Sequence, residues 1–278
     1  MTQKLNQKSA HKPTVLITGG SKGIGLELAK QFAENSHDLV LVARNKSDLQ
    51  LAAGMLLENY DCDVITITLD LTANEAATEL FRQLEAKGIR IDVLVNNAGM
   101  GDYGPFADSD LDRQLDMLRI NILTLTALTR LFLAGMVKRD EGKILNVASL
   151  AAYFAGGALW SSYVASKHYV LAFTRGLAKE LSGTGVSVTA LCPGPTETDF
   201  VNNAGVGGSR AYRWLPKVSV ENVAAAGYRG TLARQTTIIP GLVNKINALL
   251  GELPPRGIAQ AIFGFLSSGH AESGQKTV

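Results

Sequence analysis

The chain has 278 residues, 46% of them hydrophobic and 19% charged, and a formal net charge of +2. That much apolar material excludes an intrinsically disordered chain and supplies the core of one large α/β domain. The near-neutral charge excludes nucleic acid as the main partner. Its two cysteines, Cys62 and Cys192, form neither a Cys-x-x-Cys pair nor a disulfide framework, which suits a reducing, cytoplasmic setting. His11, His37, His168 and His270 lie at no metal-ligand spacing, so no metal is expected.

Residues 1–12 are polar and basic with no apolar segment behind them, and read as a mobile tail. A single domain is expected over 13–240. Short apolar runs at 14–18, 38–43, 63–69, 91–95, 143–148, 186–191 and 236–240 alternate with helical patterns. They are nearly continuous rather than alternating, as in parallel strands covered on both faces, so the expected fold is a Rossmann-like, doubly wound parallel sheet with helices on both faces. Leu115, Leu118, Ile122, Leu125 and Leu128 recur at helical spacing and place a long helix up to about Val137. The uncharged stretch 144–166 is as long as a membrane span, but its polar and glycine residues divide it into a strand, a loop and a helix start. Residues 194–217 have no clean period and read as a mobile flap. Over 241–266 two terminal amphipathic helices are expected, one with Leu242, Ile246, Leu249 and Leu250 on a face, the other with Ile258, Ala261, Ile262 and Phe265.

The first strand runs into Thr18-Gly19-Gly20-Ser21-Lys22-Gly23-Ile24-Gly25 and then a helix. Glycines there let a pyrophosphate approach backbone N–H groups at the positive end of a helix. Where a dinucleotide fold that prefers NAD carries an acidic residue at the end of the second strand, this chain carries Arg44. With Lys22 in the loop, Arg44 can pair with a 2′-phosphate, so NADP(H) is the expected cofactor.

Further along come Asn96-Asn97-Ala98-Gly99 after the fourth strand, Asn121, Ser149, and Tyr163-x-x-x-Lys167. In this order the motifs resemble the short-chain dehydrogenase/reductase family, main branch, over about residues 12–240. The resemblance implies Asn121, Ser149, Tyr163 and Lys167 as catalytic residues, with Asn121 holding a water beside Lys167. It implies cofactor contacts from the loop (Gly19, Ser21, Lys22, Gly23, Ile24, Gly25), Arg44, Asp70, Leu71, Asn97, Ala98, Gly99, Tyr163, Lys167, Pro193, Gly194, Thr196 and Thr198. Substrate contacts are expected from Ser149, Tyr153, Phe154, Tyr163 and Phe200, within a wall that also draws on Met100, Tyr103, Phe106, Leu150, Trp160 and Trp214. A homodimer is implied, with a tetramer as the larger alternative.

The chemistry also follows from the residues. Tyr163 and Lys167, four apart on a helix, share a face, and a nearby ammonium lowers the pKa of a phenol. Tyr163 then exchanges a proton with an oxygen held by Ser149 while hydride moves from NADPH. The expected activity is reduction of a lipophilic ketone, aldehyde or acyl group. A 3-oxoacyl-thioester reductase and an NADP(H)-binding sensor without turnover are the alternatives.

Overall fold

The computed structural model describes residues 12–154, 156–252 and 265–266. The expected tail, apart from Lys12, and Ile258, Ala261 and Ile262 of the second terminal helix lie outside the described residues. The strands are β1 (Thr14–Thr18), β2 (Asp38–Ala43), β3 (Val64–Thr68), β4 (Val93–Asn96), β5 (Gly142–Val147), β6 (Val186–Leu191) and β7 (Thr237–Ile238). The helices are α1 (Gly23–Glu34), α2 (Lys46–Asn59), α3 (Ala76–Ala86), α4 (Leu111–Leu118), α5 (Leu125–Lys138), α6 (Ser161–Glu180), α7 (Asp199–Ala204), α8 (Arg210–Trp214), α9 (Val220–Leu232) and α10 (Leu242–Glu252).

All seven strands pair in parallel in the order β3-β2-β1-β4-β5-β6-β7. Alternation along each strand divides its side chains between two cores. Val15 and Ile17 of β1 face a cluster with Phe32 of α1, Leu56 of α2 and Val223 of α9. Leu16 faces the opposite cluster, with Leu80 of α3 and Leu128 and Phe132 of α5. Burial on both faces is why the strands read as continuous apolar runs.

Several expectations shift. β7 stops at Ile238, and the following Pro240 has no N–H to extend a ladder. The long helix is continuous in direction, but a π-helical turn, Arg119–Thr124, separates α4 from α5. The wider turn moves the buried face one residue back, to Gln114, Met117 and Asn121 rather than Leu115, Leu118 and Ile122, and Leu115 is exposed. Among the described residues, Leu111–Lys138 is the one helical stretch long and apolar enough to cross a membrane. Its Leu128, Phe132 and Met136 are buried against the sheet. The uncharged stretch 144–166 divides into β5, a 3-10 turn at Leu150–Tyr153 and the start of α6. The flap holds the short helices α7 and α8. In α10 the expected apolar face is turned outward: Leu242, Ile246, Leu249 and Leu250 are exposed, while Asn244, Ala248 and Gly251 are buried.

A buried polar ladder crosses the centre of the sheet. Asn96 Nδ2 donates to Thr129 Oγ1 (3.0 Å) and to Asn146 Oδ1 (2.9 Å), and Asn146 Nδ2 donates to Thr174 Oγ1 (3.0 Å). It joins β4 and β5 to α5 and α6. Removing one member leaves buried partners unpaired, at a cost of about 1–3 kcal/mol each. Asn146→Ala is therefore expected to lower stability by about 3 kcal/mol in urea unfolding, whereas a change below about 0.5 kcal/mol would show that the ladder contributes little.

Candidate active site

A cleft of about 630 Å³ opens at the carboxyl ends of the strands. This is where the strand order reverses between β1 and β4 and no crossover helix covers the divide. One lip is the loop between β1 and α1. Gly19 sits at φ +65°, and a Cβ there would lie 2.9 Å from Asn97 Nδ2. Asn97 Nδ2 donates to the carbonyls of Thr18 (2.9 Å) and Gly19 (3.1 Å). Thr18 Oγ1 accepts from the backbone N–H groups of Asn97 and Ala98, both at 3.0 Å. The Asn97 motif thus holds the glycine loop in shape across the β1–β4 pair. No side chain caps the N-terminus of α1, so its first N–H groups face the cleft as a ready anion site. This fits a dinucleotide pyrophosphate.

Gly19, Ser21, Lys22, Gly23, Ile24, Arg44, Leu71, Asn97, Ala98, Gly99, Pro193, Gly194, Thr196 and Thr198 all line the cleft, as expected. Two expected contacts do not. A Cβ on Gly25 would lie 2.2 Å from the Gly19 carbonyl oxygen, so this glycine serves close packing beneath the loop. Asp70 turns back on its own chain, where its carboxylate accepts from Thr72 N (2.9 Å) and Thr72 Oγ1 (2.8 Å). Partial burial raises the pKa of that carboxyl, but the two Thr72 bonds and the Arg44 charge outweigh it and leave the value lowered.

The two cations are unequal. Lys22 Nζ pairs with Asp48 at 3.0 Å and lies 3.9 Å from Asp199, so part of its charge is already answered. The Asp48 hydrogen bond raises its pKa. Arg44 is exposed and no hydrogen bond or ion pair holds its guanidinium among the described residues.

Ser149, Tyr163 and Lys167 meet on the cleft floor. Ser149 caps the 3-10 turn after β5, its Oγ accepting from Ala151 N at 3.1 Å, and its side chain lies near the Tyr163 hydroxyl. The Tyr163 ring is packed between Trp160 (4.4 Å) and Phe200 (5.6 Å). Lys167 Nζ donates to the Val147 carbonyl at 2.9 Å and lies 5.9 Å from the centre of the Tyr163 ring. Burial pushes the phenol up to about 12, against a smaller lowering by Ser149. The expectation of a phenol lowered by Lys167 is not met: loss of water on burial sets the direction of the shift. Burial likewise brings Lys167 down to about 8.

Asn121 stands behind this group in the π-helical turn and does not line the cleft. Its Oδ1 accepts from Met100 N (2.9 Å), and its Nδ2 donates to Met100 O (2.9 Å) and Ser166 Oγ (3.0 Å). The side chain clamps the strand-end loop against α6, with both amide donors engaged.

Of the expected substrate wall, Met100, Tyr103, Leu150, Phe154, Trp160 and Phe200 line the cleft. Tyr153 does not. It ends the 3-10 turn pointing into the body, where its hydroxyl accepts from Arg175 Nη2 (3.2 Å) and contacts the Cys192 thiol. Phe106 and Trp214, 63% and 59% exposed, also lie outside. Sequence reading missed Arg113, which lines the cleft. Its Nε donates to Asp102 (2.7 Å) and its Nη2 to the carbonyls of Gly101 and Asn203, tying the loop after β4 to α7 in the flap. No motif marks it; only its placement eleven residues after Asp102 hints at the pair.

The chain belongs to the short-chain dehydrogenase family, whose sequence model matches residues 13–207. It is 36% identical over 181 residues to the ketoacyl reductase HetN of a Nostoc species, an alignment covering 65% of this chain and 62% of that one. It is 36% identical to a very-long-chain 3-oxoacyl-CoA reductase of Anas platyrhynchos over 64% of this chain and 58% of the relative. The chain thus spans about three fifths of the length of these two relatives. A short-chain dehydrogenase from Sphingobium yanoikuyae, solved in complex with NADPH, superposes with a TM-score of 0.76 at 30% identity, covering 95% of this chain and 99% of the other. The protein is accordingly an oxidoreductase that acts on carbonyl or alcohol groups with a nicotinamide cofactor.

The Lys167 shift gives a test of the site's burial. Between about 8, its folded value, and 10.5, the unfolded chain binds a proton that the folded one does not, so stability rises with pH across this window. Tyr163 acts oppositely, since above 10 the unfolded phenol ionises while the folded one keeps its proton to about 12. From pH 8 to 9.5 the parent is expected to gain up to about 2 kcal/mol on Lys167→Met in urea unfolding. Parallel pH profiles for the two proteins would refute the buried ammonium.

Proposed function

We propose that the chain is an NADPH-dependent reductase of lipophilic carbonyl compounds, with 3-oxoacyl thioesters as the substrate class. The observation that carries it is the meeting of Ser149, Tyr163 and Lys167 on the floor of a cleft whose outer wall is Phe154, Trp160 and Phe200. Such a wall suits an acyl chain, and the similarity to two ketoacyl reductases supports the acyl reading.

When bound, the cofactor supplies the hydride. Its pyrophosphate would be held by the backbone of Gly19 to Ile24 at the start of α1, and Arg44 would pair with the 2′-phosphate. Ser149 Oγ donates a hydrogen bond to the substrate oxygen and sets it beside Tyr163. With its pKa raised by burial, the phenol carries its proton at neutral pH and gives it to that oxygen as the alcohol forms. Lys167, anchored to the Val147 carbonyl, keeps positive charge next to the phenolate that results. Trp160 and Phe200 keep water from the transfer. Run in reverse, the same groups take the proton from an alcohol.

Tyr163→Phe is expected to lower kcat by about a thousandfold while leaving NADPH affinity within about threefold, read by NADPH consumption on a graded series of 3-oxoacyl thioesters, ketones and aldehydes. Activity near that of the parent would overturn the proton-donor role, and a parent active only on short ketones would overturn the acyl reading. Arg44→Asp is expected to weaken NADPH binding about tenfold or more and to leave NADH little changed, since it replaces the partner of the 2′-phosphate with a like charge. Equal affinity of the parent for the two cofactors would remove the basis of the NADPH preference.

A further inference from the structure

Helix α10 inverts the usual arrangement of a surface helix. Four leucine and isoleucine side chains point outward, while Asn244 and Gly251 lie against the body. What they touch explains why. At its first turns, Asn244 lies against Gly194: a Cβ on Gly194 would sit 2.5 Å from both Asn244 Nδ2 and Oδ1. Asn244 Nδ2 donates to Pro240 O (2.7 Å), and its Oδ1, buried, has no partner among the described residues. Gly194 belongs to the segment Pro193–Thr196 that lines the cleft, and Thr196 Oγ1 bonds its carbonyl at 3.0 Å. At the far end of α10, a Cβ on Gly251 would lie 2.4 Å from the Tyr153 carbonyl oxygen and 3.3 Å from the ring of Phe154. There Glu252 pairs with Arg175 (2.8 Å), which in turn bonds the Tyr153 hydroxyl (3.2 Å).

We propose that α10 is a strut with two separately acting ends, in which Asn244 positions the cofactor-side segment at Gly194 and Gly251 with Glu252 positions the substrate wall at Phe154. The Asn244 amide fits between Gly194 and the Pro240 carbonyl, to which it donates, while its oxygen has no partner among the described residues. At Gly251 the loop backbone passes where a side chain would be. The substrate half rests on the function proposed above, whereas the cofactor half requires only nicotinamide-cofactor binding.

The two ends are read by different constants. NADPH affinity is measured by the fluorescence of the bound cofactor and needs no turnover, and substrate KM is measured on the carbonyl series. Asn244→Ala is expected to raise the Kd for NADPH about tenfold with substrate KM within about twofold of the parent. Gly251→Ala, or the milder Glu252→Ala where that variant does not fold, is expected to raise substrate KM about fivefold with the cofactor Kd unchanged. Gly194→Ala should weaken NADPH binding, and adding Asn244→Ala should restore at least part of it by removing the obstructing amide. The strut is overturned if both constants move together in each variant, if neither moves, or if the double variant binds no better than Gly194→Ala. A parent that binds cofactor but turns over no carbonyl overturns the proposed function instead, and the NADPH titrations still decide the Asn244 half.

Discussion

The pairing of β1 with β4 governs where everything else lies. Two strands, β2 and β3, are laid outward from β1 on one side, and the chain then returns to β1's other edge and continues away from it. At that seam the loops leaving β1 and β4 diverge, and the gap between them is the cleft. A small set of hydrogen bonds fixes its shape: Thr18 and Asn97, from the two strand ends, bond each other's backbones. The glycine loop is therefore held by the neighbouring strand rather than by its own residues. The same seam presents the ends of β5 and β6, with Ser149 and Pro193–Gly194, to the other side of the cleft.

Burial then sets the electrostatics. Tyr163 and Lys167 are both removed from water, and each is driven toward its neutral form, the phenol upward and the ammonium downward. Loss of water at the Tyr163 hydroxyl exceeds the lowering by Ser149. The outcome at neutral pH is a phenol that holds a proton beside a lysine that also holds one, which is the charge state a proton donor needs. Trp160 and Phe200 produce this state by packing on the ring, and Phe200 comes from the flap that Arg113 ties down. Flap position and proton chemistry are thus physically linked.

The sheet was legible because both-sided burial writes itself into each strand as an uninterrupted apolar run, and the seam because a glycine loop and the Asn97 segment have few alternative uses. Ser149, Tyr163 and Lys167 were legible as an ordered set. Side-chain direction was not. Tyr153 and Phe154 are adjacent in sequence, and only the 3-10 turn decides that one faces Cys192 and the other the cleft. Nor can a sequence show that the Asp70 carboxylate turns to Thr72, two residues on. The outward leucines of α10 defeated periodicity because a periodic face implies a covering surface, whereas here close backbone approach selected Asn244 and Gly251 for the inner face. The π-helical turn that carries Asn121 leaves no compositional trace, and its effect is a face shifted by one residue.

Cys192 follows the last residue of β6 behind the catalytic floor, fully buried and beside the Tyr153 hydroxyl. Burial pushes its thiol up to about 12, above what Tyr153, Arg175 and Lys167 offset. Thiolate, the reactive form, is then strongly disfavoured at neutral pH. Cys62, the other cysteine, lies in the cluster on the α1 face of the sheet and is raised by burial as well. A reactive carbonyl compound held in the cleft would therefore meet no sulfur nucleophile to divert it.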